Sequence, residues 1–428
     1  MRAGSHRHHI VPNPGAPTCF SSGLPHPKFN AISLEIHFSI WYKFPVNINS
    51  DILNIGDKIM LKKIKEFISK ETVLCVAAGC AVATMFLVPP DREYLYYIDF
   101  RVLCLLLCLM AVVAGLKAIG IFDWLTYQLL RRINSGRALS VTLILLPFFS
   151  SMFVTNDVAL IIFIPFTLAL LQQLGCSKSI IPVTVFQTIA ANLGSMATPV
   201  GNPQNLYLYA FYNLSIGEFF SVTLPLTAVS LIALTIASLP LLPKKLPEQT
   251  LEEAAISSTM KLLIYMALFV LCLLTVFRVI PYILTTVITV IVLFVVERKL
   301  LKEIDYMLLL TFVCFFTVSE NLGRVDEIRA FLHQLLQSNT LLTAVGTSQI
   351  ISNVPAAIML SGFTDQWQHM LSGVNIGGLG TPIASLASLI TIKFYMRWED
   401  AKIARFLGYF TVANIVALAI LLLFMYII

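Results

Sequence analysis

Long apolar blocks of about 20 residues alternate with short polar joints from residue 72 to the end of the chain. Rising about 1.5 Å per residue, a helical block of that size crosses a hydrocarbon core of about 30 Å. The blocks lack the in–out alternation of barrel strands, and lipid offers no partner to an open strand edge. The pattern therefore predicts helices. Full spans are expected at 72–90, 100–121, 218–243, 259–280, 282–297, 303–322 and 402–428, with amphipathic pieces at 122–133 and 325–337.

Four blocks are interrupted. Stretches 138–173 and 340–363 are split by Thr155-Asn156-Asp157 and by Ser352-Asn353-Val354-Pro355. Their halves are short for a full span, which predicts two re-entrant hairpins with tips inside the membrane. Blocks 179–211 and 372–394 are broken by Gly, Asn and Pro, which predicts two discontinuous helices. One break reads Asn192-Leu193-Gly194-Ser195-Met196-Ala197-Thr198-Pro199-Val200-Gly201-Asn202. The other reads Asn375-Ile376-Gly377-Gly378-Leu379-Gly380-Thr381-Pro382-Ile383-Ala384-Ser385. Asn, Gly, Thr and Pro stand at the same offsets in both.

Two further pairs point to a duplication. Ile98-Asp99-Phe100 is echoed by Ile304-Asp305-Tyr306, and Thr155-Asn156-Asp157 by Ser352-Asn353-Val354. The separations are 206, 197 and 183 residues, in the same order along the chain. Repeat 1 is expected over 60–243 and repeat 2 over 282–428, with a polar loop and linker helix over 244–281. Lys and Arg cluster before 72 and after 121, 243, 297 and 394, which sets the N-terminus inside and the C-terminus outside. The linker span then inverts the second repeat, an arrangement suited to alternating access.

Composition sharpens the class. The chain is 57% hydrophobic and 12% charged, whereas soluble domains carry roughly twice that charge. Its net charge of +6 sits at segment ends and marks no nucleic-acid surface. Cysteines 75, 80, 104, 108, 272 and 314 lie within apolar runs without paired spacing, as free thiols do. Residues 1–59 hold five of the seven histidines and no long apolar run. They read as a disordered extension or as sequence preceding the true start at Met60. His6, His8 and His9 lack a companion ligand set, so neither a metal nor another resident cofactor is expected.

A hairpin tip or broken helix inside a membrane leaves backbone groups unpaired, tolerable only when buried in protein or facing a wet cavity. Helix C-termini and carbonyls suit a cation there, and helix N-termini suit an anion. One cluster of candidates is Thr155, Asn156, Asp157, Asn192, Gly194, Thr198, Pro199, Gly201, Asn202 and Asn205. The other is Ser352, Asn353, Asn375, Gly377, Thr381, Pro382 and Ser385. The competing reading is that Gly and Ser only let helices pack closely. Asp157 is the one carboxylate expected deep in the membrane, as a cation ligand, a proton carrier or a plain helix cap. Val354 replaces it in the second repeat, so the clusters are not equivalent. Glu320 is a weaker proton-path candidate, and Lys117, Arg278 and Arg324 read as snorkelling side chains. His333 and His369 complete no metal or Ser–His motif, so an enzyme is not expected; a channel is a further rival.

At the hairpin tips the chain resembles the ion transporter superfamily, which includes divalent anion–sodium symporters, citrate–metal carriers, arsenite pumps and one class of sodium–proton antiporters. Its symporters carry Ser-Asn-Thr at both tips; here the tips are Thr155-Asn156-Asp157 and Ser352-Asn353-Val354. Thr155-Asn156-Asp157-Val158 and Gly380-Thr381-Pro382-Ile383-Ala384-Ser385-Leu386-Ala387 resemble the arsenite-pump branch more closely. The resemblance covers about residues 70–428. It implies a substrate between the tips, sodium at the same residues or a proton relay, and a homodimer working by an elevator movement. Together these readings give an all-α polytopic protein of the inner or plasma membrane, built from two inverted repeats. It would move a small anion or oxyanion coupled to protons or sodium. Arsenite efflux and sodium–proton antiport stand as alternatives.

Overall fold

The structure is a computed structural model that describes residues 65, 67, 71–131, 133, 135–243 and 253–427. The extension at 1–59 lies outside the described residues, as does the Lys244–Glu252 part of the polar loop. The described residues are helical, with no strand among them. Six helices are long and apolar enough to span a membrane. In the numbering used below they are α2 (Phe100–Ala118), α5 (Asn156–Gln173), α8 (Ile216–Ser238), α9 (Thr259–Val276), α11 (Tyr306–Gly323) and α16 (Ile403–Ile427).

The other helices are α1 (Thr72–Met85), α3 (Ile121–Leu130), α4 (Gly136–Ser150), α6 (Ile180–Ser195) and α7 (Pro203–Phe211). The second half of the chain adds α10 (Tyr282–Glu297), α12 (Asp326–Ile351), α13 (Asn353–Ser361), α14 (Trp367–Ile376) and α15 (Leu386–Met396). The span expected at 72–90 is α-helical only to Met85. Pro89 and Pro90 disfavour helical backbone in the residues before them. The amphipathic piece at 325–337 and the arm that follows are two helical parts of α12, separated by a kink at Asn339, where the backbone is extended.

Capping repeats between the halves. Asp99 opens α2 and accepts from the Val102 amide at 3.0 Å; Asp305 opens α11 and accepts from the Leu308 amide at 2.9 Å. Ser135 caps α4 through the Ala138 amide, and Asn339 caps the second part of α12 through the Leu342 amide. Each short polar side chain satisfies one of the amides a new helix leaves unpaired.

The broken helices exchange partners. Helix α7, from the first half, packs on α13 and α14; helix α15, from the second, packs on α5 and α6. Each tip helix is therefore covered by the broken helix of the other half. At the α1–α2 connection, Arg324 donates to Tyr97 at 2.7 Å and to Asp91 at 2.6 Å. Arg324 is an ion-paired clasp rather than a snorkelling side chain. The guanidinium holds the Asp91 carboxyl below its usual range. The clasp is therefore complete at neutral pH and is lost only as pH falls beneath the ordinary carboxylate range.

A proline inside α4 has a specific remedy. Pro147 has no N–H, so the carbonyl four residues earlier, on Leu143, loses its helical donor. Gln187 of α6 supplies one, from Nε2 at 2.8 Å, and also donates to Thr167 of α5 at 2.8 Å. All of this is buried, and an unmet buried carbonyl is costly. Gln187→Leu is expected to destabilise the protein by about 1–3 kcal/mol, seen as a lower unfolding temperature in detergent. An unchanged temperature would contradict this assignment. Gly194 of α6 lies against the backbone of α4, and a Cβ there would stand 2.0 Å from the Phe148 carbonyl oxygen. Gly194→Ala is expected to abolish the monodisperse peak in fluorescence-detected gel filtration. Gly79→Ala, with nothing within 4 Å of the added carbon, is expected to match the parent.

Candidate functional site

Four helices begin where the tips meet the breaks: α5 after Thr155, α7 after Asn202, α13 after Ser352 and α15 after Ser385. Helices α4, α6, α12 and α14 end beside them. The region thus gathers unpaired N–H groups with partial positive charge and unpaired carbonyls with partial negative charge. Short amides and hydroxyls fill it, and Asn156, Asn192, Asn202, Asn205, Asn353, Asn375 and Ser385 are all buried.

Their hydrogen bonds run across the two halves. Ser385 donates to Asn192 Oδ1 at 3.0 Å, and Asn202 donates to Asn375 Oδ1 at 3.2 Å. These are the same contact made twice. Asn192 corresponds to Asn375 and Asn202 to Ser385, each 183 residues apart. Each half thus ends its break by reaching the leading asparagine of the other. The donors are also the N-cap residues of α7 and α15.

Around that pair the bonds close up. Asn156 Nδ2 donates to Asn192 Oδ1 at 2.9 Å, joining the first tip to the first break. Asn375 Nδ2 donates to Asn205 Oδ1 at 2.6 Å and to the Leu371 carbonyl at 2.8 Å. Asn202 Oδ1 caps the Asn205 amide at 2.9 Å, while Asn202 Nδ2 also reaches Ser195 Oγ at 3.1 Å. Ser195 in turn donates to the Asn192 carbonyl at 2.9 Å. The second tip joins through its backbone, where the Asn353 amide donates to the Ala384 carbonyl at 2.9 Å. Ser352 Oγ adds a longer bond to the same oxygen, 3.4 Å. The two clusters read from the sequence therefore share one network.

Other candidates brace it. Thr198 donates to the Met152 carbonyl, and Thr381 donates to the Gln349 carbonyl at 3.0 Å. In each case the acceptor lies three residues before the tip residue, Thr155 or Ser352, so this contact is also duplicated. Gly194, Gly201 and Gly377 are packing positions where a Cβ would press on the Phe148 carbonyl, the Ser195 carbonyl and the Ser348 hydroxyl. These three glycines stand where neighbouring groups pack closely. Pro199 is buried and Pro382 half-buried within their breaks. Thr155 and Asp157 are half-buried at the first tip, and their side chains make no bond to the network. Asp157 Oδ1 is itself buried, with no hydrogen-bond partner among the described residues.

Gln349 is a participant that the motif reading missed. Its Nε2 donates to the Gly377 and Leu379 carbonyls at 2.8 and 2.9 Å, and its Oε1 accepts from the Thr381 amide at 2.9 Å. One side chain thus ties down three backbone groups of the second break. The available signal was a glutamine three residues before a tip, following Thr347 and Ser348. Among the described residues no Lys, Arg or His side chain is bonded into the network, and no cluster of His, Cys, Asp and Glu could hold a metal.

Comparison with known proteins identifies the family. The sequence pattern that describes the citrate transporter family matches residues 59–367. A Methanocaldococcus jannaschii protein named as an uncharacterized transporter is 31% identical over 336 residues, 78% of this chain and 91% of that relative. The inner membrane protein YbiR of Escherichia coli is 28% identical over 73% of this chain and 84% of its own length. The silicon efflux transporter LSI3 of rice, Oryza sativa, is 33% identical over 147 residues, 34% of this chain and 30% of its own. With most of its length matched by the family pattern and by a near-full-length relative, this multi-pass membrane protein belongs to the citrate transporter family.

Proposed function

We propose that this chain is a secondary active transporter for a small anion or oxyanion, coupled to protons or sodium. The observation that carries the reading is the duplicated network: two breaks and two tips joined by reciprocal bonds at one buried place. Four helix N-termini there favour negative charge without a buried Arg or Lys. Adjacent helix C-termini and free carbonyl oxygens suit a sodium ion. Asp157 is the coupling group in this reading, because its buried Oδ1 lacks a partner and Val354 fills the matching position.

The reading includes two inverted repeats, with re-entrant hairpins whose tips hold substrate. The hairpins slide as an elevator against the remaining spans of a homodimer in the inner or plasma membrane. The N-terminus is cytoplasmic and the C-terminus outside, as the distribution of Lys and Arg favours. One observation favours a second reading, efflux of an undissociated oxyacid such as arsenous or silicic acid. The network is made of amides and hydroxyls with no bonded cation, which suits a neutral, hydroxyl-rich solute, and one relative is named for silicon efflux. Sodium–proton antiport is the remaining alternative, and it needs only Asp157 and the carbonyls.

Purified protein in liposomes separates these readings. Labelled dicarboxylates, citrate, inorganic oxyanions and arsenite are offered under a sodium gradient and then a proton gradient. Saturable, gradient-driven uptake of one anion is expected, with at least a tenfold loss in Asp157→Asn. Uptake of arsenite alone supports the oxyacid reading, and a pH-dye signal without anion uptake supports antiport. A second expectation concerns Asn375, which both accepts from Asn202 and donates to Asn205. Asn375→Ala is expected to weaken apparent substrate affinity about tenfold or more, since buried amides are left unpaired. Unchanged affinity would remove the network from the binding site.

A further inference from the structure

Among the described residues, three that are not glycine have left-handed φ: Asn213 (54°), Arg278 (64°) and Ser352 (78°). Ser352 is a tip residue of the network. The other two meet each other. Asn213 follows the C-terminus of α7, where the Leu214 amide turns back to the Tyr209 carbonyl at 3.1 Å. Arg278 follows the C-terminus of α9, where the Val279 amide turns back to the Leu274 carbonyl at 2.8 Å. Both are helix ends of the kind that glycine usually closes.

An arginine in that position needs a reason, because its Cβ is strained there and glycine would not be. Its guanidinium supplies one. Nη1 donates to the Asn213 carbonyl and Nη2 to the Tyr209 carbonyl, both at 3.2 Å. The guanidinium carbon also stands 5.3 Å from the centre of the Tyr209 ring. A cation over carbonyls at a helix C-terminus is favourable, as is a cation over an aromatic face. Arg278 is exposed and makes no ion pair among the described residues. Its fork is spent on the last turn of α7, reached from the end of the linker helix α9.

Helix α7 is short, Pro203–Phe211, and is buried over most of its length. Its opposite end begins at Asn202, and its first turn carries Asn205; both are bonded to Asn375. A nine-residue helix moves as a rod, so a hold on its C-terminus fixes the place of its N-terminus. We propose that Arg278 is a positioning residue that holds α7 from α9 and so sets Asn202 and Asn205 against Asn375. The proposal rests on reading the amide network as the site, and adds a residue outside it.

The test uses the full chain in lipid nanodiscs and hydrogen–deuterium exchange, which needs no knowledge of the substrate. Arg278→Gly removes the guanidinium and relieves the backbone, so the variant is expected to fold with an unfolding temperature close to that of the parent. Exchange is expected to rise at least fivefold both at 203–214 and at 375–385, the second segment lying across the network. Arg278→Lys, which retains the charge and one donor at a time, is expected to recover part of the protection. Asn213→Gly keeps the backbone acceptor and is expected to be silent. A rise confined to 209–214 and 276–280 would overturn the proposal, and so would a rise spread evenly over all helices. Because exchange is read without transport, failure here is distinct from failure of the transport reading.

Discussion

A helix that stops inside a buried interior leaves amides and carbonyls that must find partners in the protein, and this chain stops helices in its buried interior repeatedly. Much else in the fold answers that constraint. Asn202 caps a new helix, Ser385 stands at the start of another, and each binds the leading asparagine of the opposite half. Thr198 and Thr381 pin each break to a carbonyl just ahead of a tip. Gln349 closes three backbone groups of the longer break with one side chain. Gln187 does related work away from the site, for the carbonyl that Pro147 releases. Polar side chains are retained where backbone would otherwise be stranded, and the same groups are suited to a hydrated ion or a small polar solute.

Contacts made in matching pairs give the arrangement its economy. A single break could be satisfied by its own half alone. Here each half is completed by the other, through α7 on α13 and α15 on α5 as well as through the asparagine bonds. The matched caps at Asp99 and Asp305 show that the correspondence extends to the outer helices. It is incomplete in one respect. Asp157 of the first tip faces no counterpart, because Val354 stands in the second. The matched contacts therefore surround a carboxyl that the first tip alone carries.

Much of this was legible in the sequence, and for a physical reason. Helix-breaking residues are conspicuous in apolar blocks, so Asn192–Asn202 and Asn375–Ser385 announced both the breaks and their kinship. Their threonines and asparagines lie at bonded positions because the motif is itself the set of caps and braces. What the sequence hid were partners distant along the chain. Nothing local says that Arg278 would turn to Tyr209 and Asn213, or Arg324 to Asp91, so both read as snorkelling side chains. Gln187 and Gln349 belonged to no motif, and their tasks appear only once α4 and the second break lie beside them. The sharing of one network by both clusters was likewise out of reach, since it depends on which half covers which tip.

The exchange of partners bears on how the chain is made. Asn205 sits 170 residues before the asparagine that donates to it. At about 5–20 residues per second, roughly 10 to 30 seconds separate the synthesis of the two. During that interval the first half has α7, with Gln204 and Asn205, but not the α13 and α14 surfaces that bury them. The nascent protein must keep several amides wet or sheltered by the insertion machinery until its second half arrives. Ribosome pausing or truncation within residues 260–370 would therefore strand a polar, half-built membrane segment, a natural target for membrane proteases.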